Sequence, residues 1–546
     1  MLSELFVDYI KESIRLNWDI TALADYKGES FTYAEVAEHI NNIHQLYHQL
    51  GISEGDKIAL VSRNSARWGI VYLATVSYGA VIVPILPDFK PDDMVELINH
   101  SDSVLLFCSD IIFETLDKNR LQHIRGIISA NSFLPVFSKD TTFDKTVKKN
   151  LGSGNKSTLT ADNFTLPVIP NDRLAVISYT SGTTGHSKGV MLSHNSLTAN
   201  IRFAQNNMPL NSGDPIVSFL PLAHTYGCAF EFLFPFTIGC TITILSKSPS
   251  PQVIMKAFQE IKPALILSVP LVIEKIFKKQ ILPVIEKPLM KILLGIPLVN
   301  RLILNKIRNK VQSVFGGNFT EIVIGGAAFS PQAETFFRKL KLPITVGYGM
   351  TECGPLISYA SSKTVPFSSS GKAVDTLDVV VDSEDPQKKV GEILVRGENV
   401  MQGYYKNAEA TKEIIDKNGW LHTGDLGVID DGGYIYIKGR SKSLILGSNG
   451  KNIYPEEYES ALNNCYCVLE SLVVQRDEKL VALIYPDYDT MEIDRTKKEE
   501  LPHIFSNNLK RLNQGFPKYM HVANYEIVEE EFLKTPKRSI RRYLYQ

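Results

Sequence analysis

The sequence contains few cysteines, no excess of either charge and no long hydrophobic run. Six cysteines among 546 residues are too few for a disulfide framework, so the fold depends on its hydrophobic core. Lys and Arg total 58 against 59 Asp and Glu, and this balance removes the global electrostatic argument for nucleic-acid binding. No apolar run reaches the ~18 residues that a membrane-spanning helix needs, so none is expected.

The first twenty residues also lack the pattern of a secretory leader. Glu4, Asp8, Lys11 and Glu12 interrupt any apolar stretch, and no small-residue cleavage site follows. The composition, 44% hydrophobic and 21% charged, excludes a disordered chain. At roughly 150 residues per domain, the length predicts three or four folding units. We expect a reduced, soluble, cytoplasmic protein.

The N-terminal third predicts alternating helices and buried strands. Residues 1–50 are predicted to be helical, with Thr32 and Glu35 spaced as a capping box and Gly51 as the helix stop. The apolar runs within 55–85 follow in strand–helix–strand order. Continuously apolar strands that alternate with helices favour a parallel sheet covered on both faces.

Three later segments differ from this pattern. Residues 136–170 are polar and without periodicity, which predicts a surface linker. The α/β pattern then resumes at Leu174 and continues to about residue 345. Residues 371–440 contain short alternating strands separated by turns, which predicts a small antiparallel barrel or ribbon. The last hundred residues or so mix helix and strand as a separate α+β unit.

The most informative string is residues 177–194, ISYTSGTTGHSKGVMLSH. A strand-like run ends in hydroxyl and glycine residues, and Lys188 adds a point charge. Such a loop directs backbone N–H and hydroxyl donors to one concave surface and suits a polyphosphate. The spacing Gly182-x-x-Gly185-x-x-Lys188 differs from the GxxxxGK(S/T) spacing of a Walker A loop. A plain mobile turn is the structural alternative. The loop residues are Thr180, Ser181, Gly182, Thr183, Thr184 and Gly185.

This string resembles the phosphate loop of the adenylate-forming superfamily, which includes acyl-CoA synthetases, luciferases and peptide-synthetase adenylation domains. The usual YTSGTTGxPKGV pattern differs here in having Ser187 in place of proline. Further strings resemble the other motifs of that family, in the family's order. They are LPLAH (220–224), EIVIGGAA (321–328), VGYGMTE (346–352), GWLHTGD (419–425) and GRSKSLILGSNGKNIYPEEYE (439–459).

The resemblance implies a role for individual residues. Tyr348 stacks on adenine, Thr351 contacts phosphate, Glu352 reaches Mg²⁺, and Asp425 and Arg440 contact the ribose. An aromatic face does suit a purine, and a hard oxygen ligand beside phosphates suits Mg²⁺. Other implied positions are Gly326, Ala327 and Gly349 around the nucleotide, His224 and Gly347 at the acyl group, and Gly450 near the pantetheine path.

The resemblance also implies the domain organisation. A large N-terminal domain of stacked α/β sheets with a small β-barrel spans residues 1–439. A small mobile α+β domain follows at 440–546 and rotates about a hinge near Lys442 between two half-reactions. The fold class is thus α/β.

The branch of the family is indicated by two further observations. The string His224-Thr225-Tyr226 lacks the Asp that amino-acid-loading domains place there, which disfavours an amino-acid substrate. Residues 266–279 and 399–407 resemble bacterial long-chain fatty-acyl-CoA ligases. The implied reaction joins a medium- to long-chain fatty acid to coenzyme A through acyl-AMP, with ATP and Mg²⁺. A ligase that loads a carrier protein is the nearest alternative.

The string KTPKRSIRR (534–542) resembles the family's C-terminal motif but departs from it at one position. The final lysine of that motif, which contacts the acyl carboxylate and α-phosphate, is replaced here by Ser539. If the loop were extended, Lys537 would share a face with Ser539, and we predict that Lys537 supplies the charge. A non-catalytic nucleotide- or acyl-binding homologue is the alternative.

One segment joins basic and apolar character. Residues 275–310 contain nine Lys and Arg side chains, among them Lys275 and Lys310, against Glu286 alone. A helical flap whose lysines cover the core is one interpretation. Contact with an anionic membrane surface, from which a fatty acid enters, is the other. The sequence leaves the oligomeric state open.

Overall fold

The structure, a computed structural model, describes residues 1–152, 158–181, 187–246, 250–277, 296–447, 451–535 and 540–545. Its first part alternates strands and helices. The strands are β1 (Thr21–Asp25), β2 (Ser30–Thr32), β3 (Lys57–Val61), β4 (Val81–Ile85), β5 (Ser103–Cys108), β6 (Gly126–Ser129) and β7 (Pro135–Ser138). The helices are Phe6–Leu16, Tyr33–Gln49, Ala66–Tyr78, Pro91–His100, Asp110–Thr115 and Thr141–Leu151.

The middle of the chain continues the α/β pattern. Its strands are β8 (Leu174–Ser181), β9 (Ser187–Ser193), β10 (Pro215–Ser218), β11 (Thr241–Ile244), β12 (Leu265–Ser268), β13 (Glu321–Ile324), β14 (Ile344–Val346), β15 (Tyr348–Gly349) and β16 (Leu356–Tyr359). Its helices are His194–Asn207, Thr225–Gly227, the π-helix Cys228–Leu233, Phe234–Ile238, Pro251–Ile261, Pro270–Ile276, Pro297–Val314 and Pro331–Lys339.

The last third contains further strands, most of them in antiparallel pairs. They are β17 (Lys372–Ala373), β18 (Leu377–Asp382), β19 (Gly391–Gly397), β20 (Gly403–Tyr404), β21 (Leu421–Ile429), β22 (Ile435–Arg440), β23 (Ile445–Leu446), β24 (Asn452–Ile453), β25 (Val468–Arg476), β26 (Lys479–Pro486) and β27 (Val522–Ile527). The helices are Ala408–Ile414, Pro455–Leu462, Tyr488–Asp494 and Leu501–Gly515.

The largest sheet has eight strands in the order β20-β9-β8-β4-β3-β5-β6-β7. Strand β3 pairs with β4 and β5 in parallel, which confirms the parallel sheet expected from the apolar runs. The buried strand patterns reflect helices packed over the sheet, and the helix Ala66–Tyr78 is itself buried along most of its length. Strands β9 and β20 extend the sheet with antiparallel pairs.

The capping box at Thr32 is present as expected. Its hydroxyl accepts the Glu35 backbone N–H at 3.2 Å, and the Glu35 carboxylate accepts the Thr32 backbone N–H at 2.7 Å. The helix continues to Gln49, and the αL residue Gly51 follows. The prediction that all of residues 1–50 are helical is wrong, because β1 and β2 form a hairpin there. Strand β1 also pairs in parallel with the distant β11, a contact that local sequence does not encode.

The predicted linker 136–170 also contains unpredicted structure. The helix Thr141–Leu151 begins after Asp140, whose side chain accepts the Thr142 N–H at 2.9 Å. Phe143 and Val147 lie one helical turn apart and are buried, so this helix packs against the core. Burial of two apolar side chains therefore outweighs the polar composition of the segment.

The region 371–440 forms short antiparallel strands, as its alternation predicted. Strands β18-β19-β21-β22 make one sheet and β15-β16-β17 another. The buried hydrophobic residues fall into separate clusters: one draws on residues from Phe6 to Ile435, and two draw on residues from Ile445 onwards. The predicted boundary between 439 and 440 lies between these sets and stays a prediction.

No described helix combines the length and the hydrophobicity that a membrane crossing requires.

Candidate active site

The predicted phosphate loop connects two antiparallel strands. Strands β8 and β9 pair so that Thr180 lies opposite Lys188, and Ser181 lies opposite Ser187. The Thr180 hydroxyl donates to the Lys188 carbonyl oxygen at 3.4 Å. This pairing fixes the backbone at both ends of the loop. The predicted residues Gly182, Thr183, Thr184 and Gly185 lie outside the described residues.

Lys188 contacts a residue that the motif analysis did not select. Its ammonium nitrogen lies 4.8 Å from the centre of the Tyr404 ring. Tyr404 reaches this position because β20 pairs with β9, with Tyr404 opposite Val190. The face of an aromatic ring attracts a cation, so the ring orients Lys188 at the base of the loop.

Tyr404 also contacts the predicted metal-binding carboxylate. Its hydroxyl donates to Oε1 of Glu352 at 2.9 Å. Burial and the nearby Glu352 charge raise the pKa of Tyr404, so the phenol stays neutral and donates. Glu352 belongs to the 3₁₀ turn Thr351–Cys353, and its backbone oxygen accepts the Met401 N–H at 2.8 Å. One tyrosine therefore joins Lys188 and Glu352, which are distant in sequence.

Buried polar groups on the helix His194–Asn207 hold the Glu352 segment. Asn200 donates to the Cys353 carbonyl at 3.2 Å and accepts the Leu356 N–H at 2.9 Å. From the same helix, the Ser196 hydroxyl donates to the Asn399 carbonyl at 2.8 Å. Buried polar groups of this kind need partners, so these side chains fix the backbone that follows Glu352 and the neighbouring backbone at Asn399.

The predicted nucleotide residues Tyr348, Asp425 and Arg440 form one contact group. The Tyr348 hydroxyl donates to Oδ2 of Asp425 at 2.8 Å, and Nε of Arg440 lies 3.1 Å from Oδ1. Asp425 and Arg440 are direct cross-strand neighbours on β21 and β22. Burial raises the pKa of Asp425, and the Arg440 guanidinium partly offsets that effect. The carboxylate is thus held in place beside the Tyr348 ring.

Two glycines at the site meet steric requirements. A Cβ on Gly349 would lie 2.1 Å from the Pro355 carbonyl oxygen, so no larger residue fits. Gly326 has φ +84°, in the region that favours glycine. Gly326 and Ala327 follow β13, and Gly347 donates its N–H to the Ile324 carbonyl at the end of that strand at 2.9 Å. The turn after β13 therefore lies beside the Tyr348 segment.

The remaining predicted residues are distributed as follows. His224 directly precedes the short helix Thr225–Gly227, and Thr351 is buried beside Glu352. Lys442 is exposed in the 3₁₀ turn Ser441–Ser443, which connects β22 to the C-terminal strands. Gly450 lies outside the described residues.

The described residues on either side of Lys537 and Ser539 lie close together. Lys534 and Ile540 pair as an antiparallel bridge, so their Cα atoms are about 5 Å apart. Lys537 and Ser539 lie outside the described residues, and the role of Lys537 stays a prediction.

Sequence reasoning also missed a buried carboxyl group near the LPLAH string. Glu231 is fully buried in the π-helix Cys228–Leu233. Its Oε2 accepts the backbone N–H groups of Phe219 and Leu220 at 2.9 and 2.8 Å, while its Oε1 has no partner among the described residues. Burial raises the pKa of Glu231 to about 8. The side chain therefore anchors the backbone at the start of the LPLAH string (220–224).

The local sequence did not assign a role to Tyr404 or to Glu231. The string around Tyr404 contributed to the family resemblance, but its contact with Lys188 depends on the pairing of β20 with β9. Glu231 stands in an apolar run, GCAFEFLFPF, where a lone acidic residue was the available clue, since buried ionisable groups are rare without a role.

Comparison with known proteins identifies the family of the chain. The AMP-binding enzyme family matches residues 10–405, and the chain belongs to that family. The resemblance inferred from the motifs is therefore confirmed.

Individual relatives show the same kinship. The chain is 29% identical to the peroxisomal long chain acyl-CoA synthetase 6 of Arabidopsis thaliana, over 89% of this chain and 72% of that protein. It is 27% identical to a chloroplastic long-chain-fatty-acid–acyl-carrier-protein ligase of the same plant, over 94% and 80%. The crystal structure of the anthranilate CoA ligase AuaEII with anthranoyl-AMP has a TM-score of 0.79, with 19% identity and coverage of 100% and 97%. The predicted fold class is confirmed.

Removal of the Lys188 charge tests the assignment of the loop. Lys188→Ala should slow acid-dependent adenylation by about tenfold to a thousandfold, the scale of one charge-stabilising donor. The matched control is Lys57→Ala, because Lys57 lies 5.8 Å from the centre of the neighbouring Tyr405 ring. Pyrophosphate release measures the rate. Near-normal activity in Lys188→Ala would contradict the assignment.

The raised pKa of Glu231 predicts a pH dependence of stability. Between the unfolded value near 4.5 and the folded value of about 8, the folded state binds more protons than the unfolded state. Stability therefore falls as the pH rises, by about 1.4 kcal/mol for each pH unit in that window. Glu231→Gln removes this pH dependence. In urea unfolding from pH 5 to 8, the free energy of unfolding of the variant should therefore rise relative to that of the wild type. The surface control Glu96→Gln should show no such trend, and parallel curves for Glu231→Gln would refute the pKa assignment.

Proposed function

We propose that the chain ligates a medium- to long-chain fatty acid to coenzyme A through an acyl-AMP intermediate. The observation that carries this proposal is an apolar pocket beside the Glu352 segment. Membership of the AMP-binding family supports an acid–thiol ligase reaction in general. The similarity to a long chain acyl-CoA synthetase supports the fatty-acid class in particular.

The pocket lies between the eight-stranded sheet and the helices that cover it. Gly354, next to the Glu352 turn, and Thr225, next to His224, line one part of it, so the pocket adjoins the predicted chemistry. Leu192, Leu197 and Leu233 line another part. Most of the lining is apolar, which suits an alkyl chain, while an amino or second carboxyl group would lose its hydration there.

The pocket is narrow in this structure. Its volume of about 20 Å³ has room for about one water molecule. An alkyl chain therefore enters only with changes in the surrounding side chains. The proposal accordingly includes a pocket that adapts to its acyl group.

The residues of the site can divide the chemistry between them. A carboxylate oxygen of the acid attacks the α-phosphorus of ATP, and the bond to the bridging oxygen breaks to release pyrophosphate. Lys188 faces the phosphates and stabilises the leaving charge. Tyr348 holds the adenine, and Asp425 and Arg440 hold the ribose. The thiol of coenzyme A then attacks the acyl carbonyl and releases AMP.

Glu352 fits a magnesium ion carried by the nucleotide. In the described part of the chain, no three His, Cys, Asp or Glu side chains are grouped so as to hold a metal ion by themselves. Mg²⁺ in nucleotide sites is usually held by one or two carboxylates together with phosphate oxygens and waters, and Glu352 is a carboxylate of this kind. Bound there, Mg²⁺ neutralises charge on the phosphates.

Two alternatives are kept because particular observations favour them. The similarity to an acyl-carrier-protein ligase favours a carrier protein as the thiol acceptor. Ser539 in place of the family's lysine favours a binder that makes no acyl-AMP. Lys537, the predicted substitute, and the hinge at Lys442 belong to the proposed enzyme and not to the binder.

A peripheral membrane contact from the cytoplasmic side is part of the proposal. The helix Pro297–Val314 contains the cations Arg301, Lys306, Arg308 and Lys310 and no acidic residue. Its Leu302 is 67% exposed. A basic helix with an exposed apolar residue suits an anionic lipid surface.

The proposed reaction is tested with a panel of carboxylic acids of increasing length. Pyrophosphate release should depend on the acid, peak at a medium- to long-chain acid, and rise further when coenzyme A is added, because the thiol removes the adenylate. Stimulation by an acyl-carrier protein instead of coenzyme A would favour the second acceptor. If none of the acids in the panel supports pyrophosphate release, the result contradicts the proposed enzyme and favours the non-catalytic binder.

Narrowing the pocket tests where the alkyl chain lies. Ala229 lines the pocket, so Ala229→Val should lower activity on the longest accepted acid relative to a short acid by about fivefold, the scale of one or two displaced methylene groups. Ala204→Val is the matched control, since Ala204 is also a buried helical alanine but lies outside the lining. If the activity of the two variants depends on acid chain length in the same way, the acyl chain lies elsewhere.

A further inference from the structure

We propose that Tyr404 is a positioning residue that holds the Lys188 ammonium and the Glu352 carboxylate in one fixed arrangement for the nucleotide phosphates. This inference rests on the proposed function and assigns a role to a residue for which the resemblance implied none. It is carried by two contacts of one side chain. The ring face lies 4.8 Å from the Lys188 nitrogen, and the hydroxyl donates to Glu352 at 2.9 Å.

Tyr404 itself is rigidly held. Its backbone N–H donates to the Thr411 hydroxyl at 2.9 Å, and the N–H of the next residue donates to the Gly189 carbonyl at 2.8 Å. The side chain is 5% exposed. Because the backbone is fixed on both sides and the ring is enclosed, Tyr404 has little freedom to move and can fix the groups that it contacts.

The two contacts act on opposite charges by different physics. The ring attracts the ammonium through its π face and needs no hydroxyl. The hydroxyl donates a hydrogen bond to the carboxylate and occupies one of its two oxygens. Lys188 is a long flexible side chain, and Glu352 rotates about its terminal bonds, so each gains order from its contact. The two contacts can therefore be removed separately.

Tyr405, the residue after Tyr404, offers an internal control. Tyr405 also pairs a ring with a lysine, at 5.8 Å from Lys57, and its hydroxyl donates to Asp102 at 2.8 Å. Tyr405 directly follows β20 and contacts Lys57 and Asp102, so it repeats the chemistry of Tyr404 away from Lys188 and Glu352. Matching substitutions at 405 report the general cost of losing such a tyrosine.

The test compares Tyr404→Phe and Tyr404→Leu in the full chain. Binding of ATP is measured by calorimetry in EDTA and over a titration of free Mg²⁺, so neither the acid nor turnover enters the readout. Tyr404→Phe keeps the ring and should leave metal-free ATP affinity within about twofold of the wild type. It should raise the Mg²⁺ concentration for half-maximal enhancement by about three- to tenfold, since Glu352 loses its donor. Glu352→Gln removes the carboxylate charge itself, so it sets the largest expected rise in the Mg²⁺ concentration for half-maximal enhancement.

Tyr404→Leu loses both contacts and should, in addition, weaken metal-free ATP binding by about threefold to tenfold, because Lys188 loses the ring. Tyr405→Phe and Tyr405→Leu should bind like the wild type in both assays. Thermal unfolding checks that the Leu variants fold, and if Tyr404→Leu does not, the Phe variant decides.

A Tyr404→Phe protein with the Mg²⁺ dependence of the wild type overturns the inference, as does a folded Tyr404→Leu protein that binds metal-free ATP as well as Tyr404→Phe does. Both results leave the proposed function intact. A wild-type chain that binds no ATP under any condition overturns the proposed function and the inference together.

Discussion

The site depends on the position of strand β9 between β8 and β20. Pairing with β8 forms the base of the phosphate loop and places Lys188 at its end, while pairing with β20 brings Tyr404 alongside from a distant part of the chain. Because a shift by one residue would turn every side chain to the opposite face, this register decides whether Lys188 faces Tyr404. The catalytic proposal is therefore a statement about strand register as well as about motifs.

The charged groups of the site are engaged by protein partners in this structure. Asp425 contacts Tyr348 and Arg440, and Glu352 contacts Tyr404. Groups held in advance need little reorganisation when charge develops on a phosphate, which is how preorganised sites lower barriers. The proposed acyl pocket has the opposite property, since it is nearly filled by its own side chains and would have to adapt to an acyl chain. A rigid phosphate end and an adaptable acyl end suit a family that uses one chemistry on different acids.

The motifs selected side chains that lie together in the structure, because they combine local residue types with fixed spacing. The adjacency of Asp425 and Arg440 follows from two such motifs that meet as a strand pair. Tyr404 and Glu231 were not found, since their roles depend on long-range pairing and on burial. For the same reason the helix prediction for residues 1–50 missed β1, whose partner β11 is far along the chain. The capping box at Thr32, which is local, was found.

Acid-dependent exchange of labelled pyrophosphate into ATP is the decisive measurement of acyl-AMP formation by this chain. Exchange requires that the chain form acyl-AMP reversibly, and it needs no thiol acceptor, so it is independent of the choice between coenzyme A and a carrier protein. The account predicts exchange that requires a fatty acid and is strongly reduced in Lys188→Ala. Absence of exchange with every fatty acid, from a folded chain that still binds ATP, would contradict it.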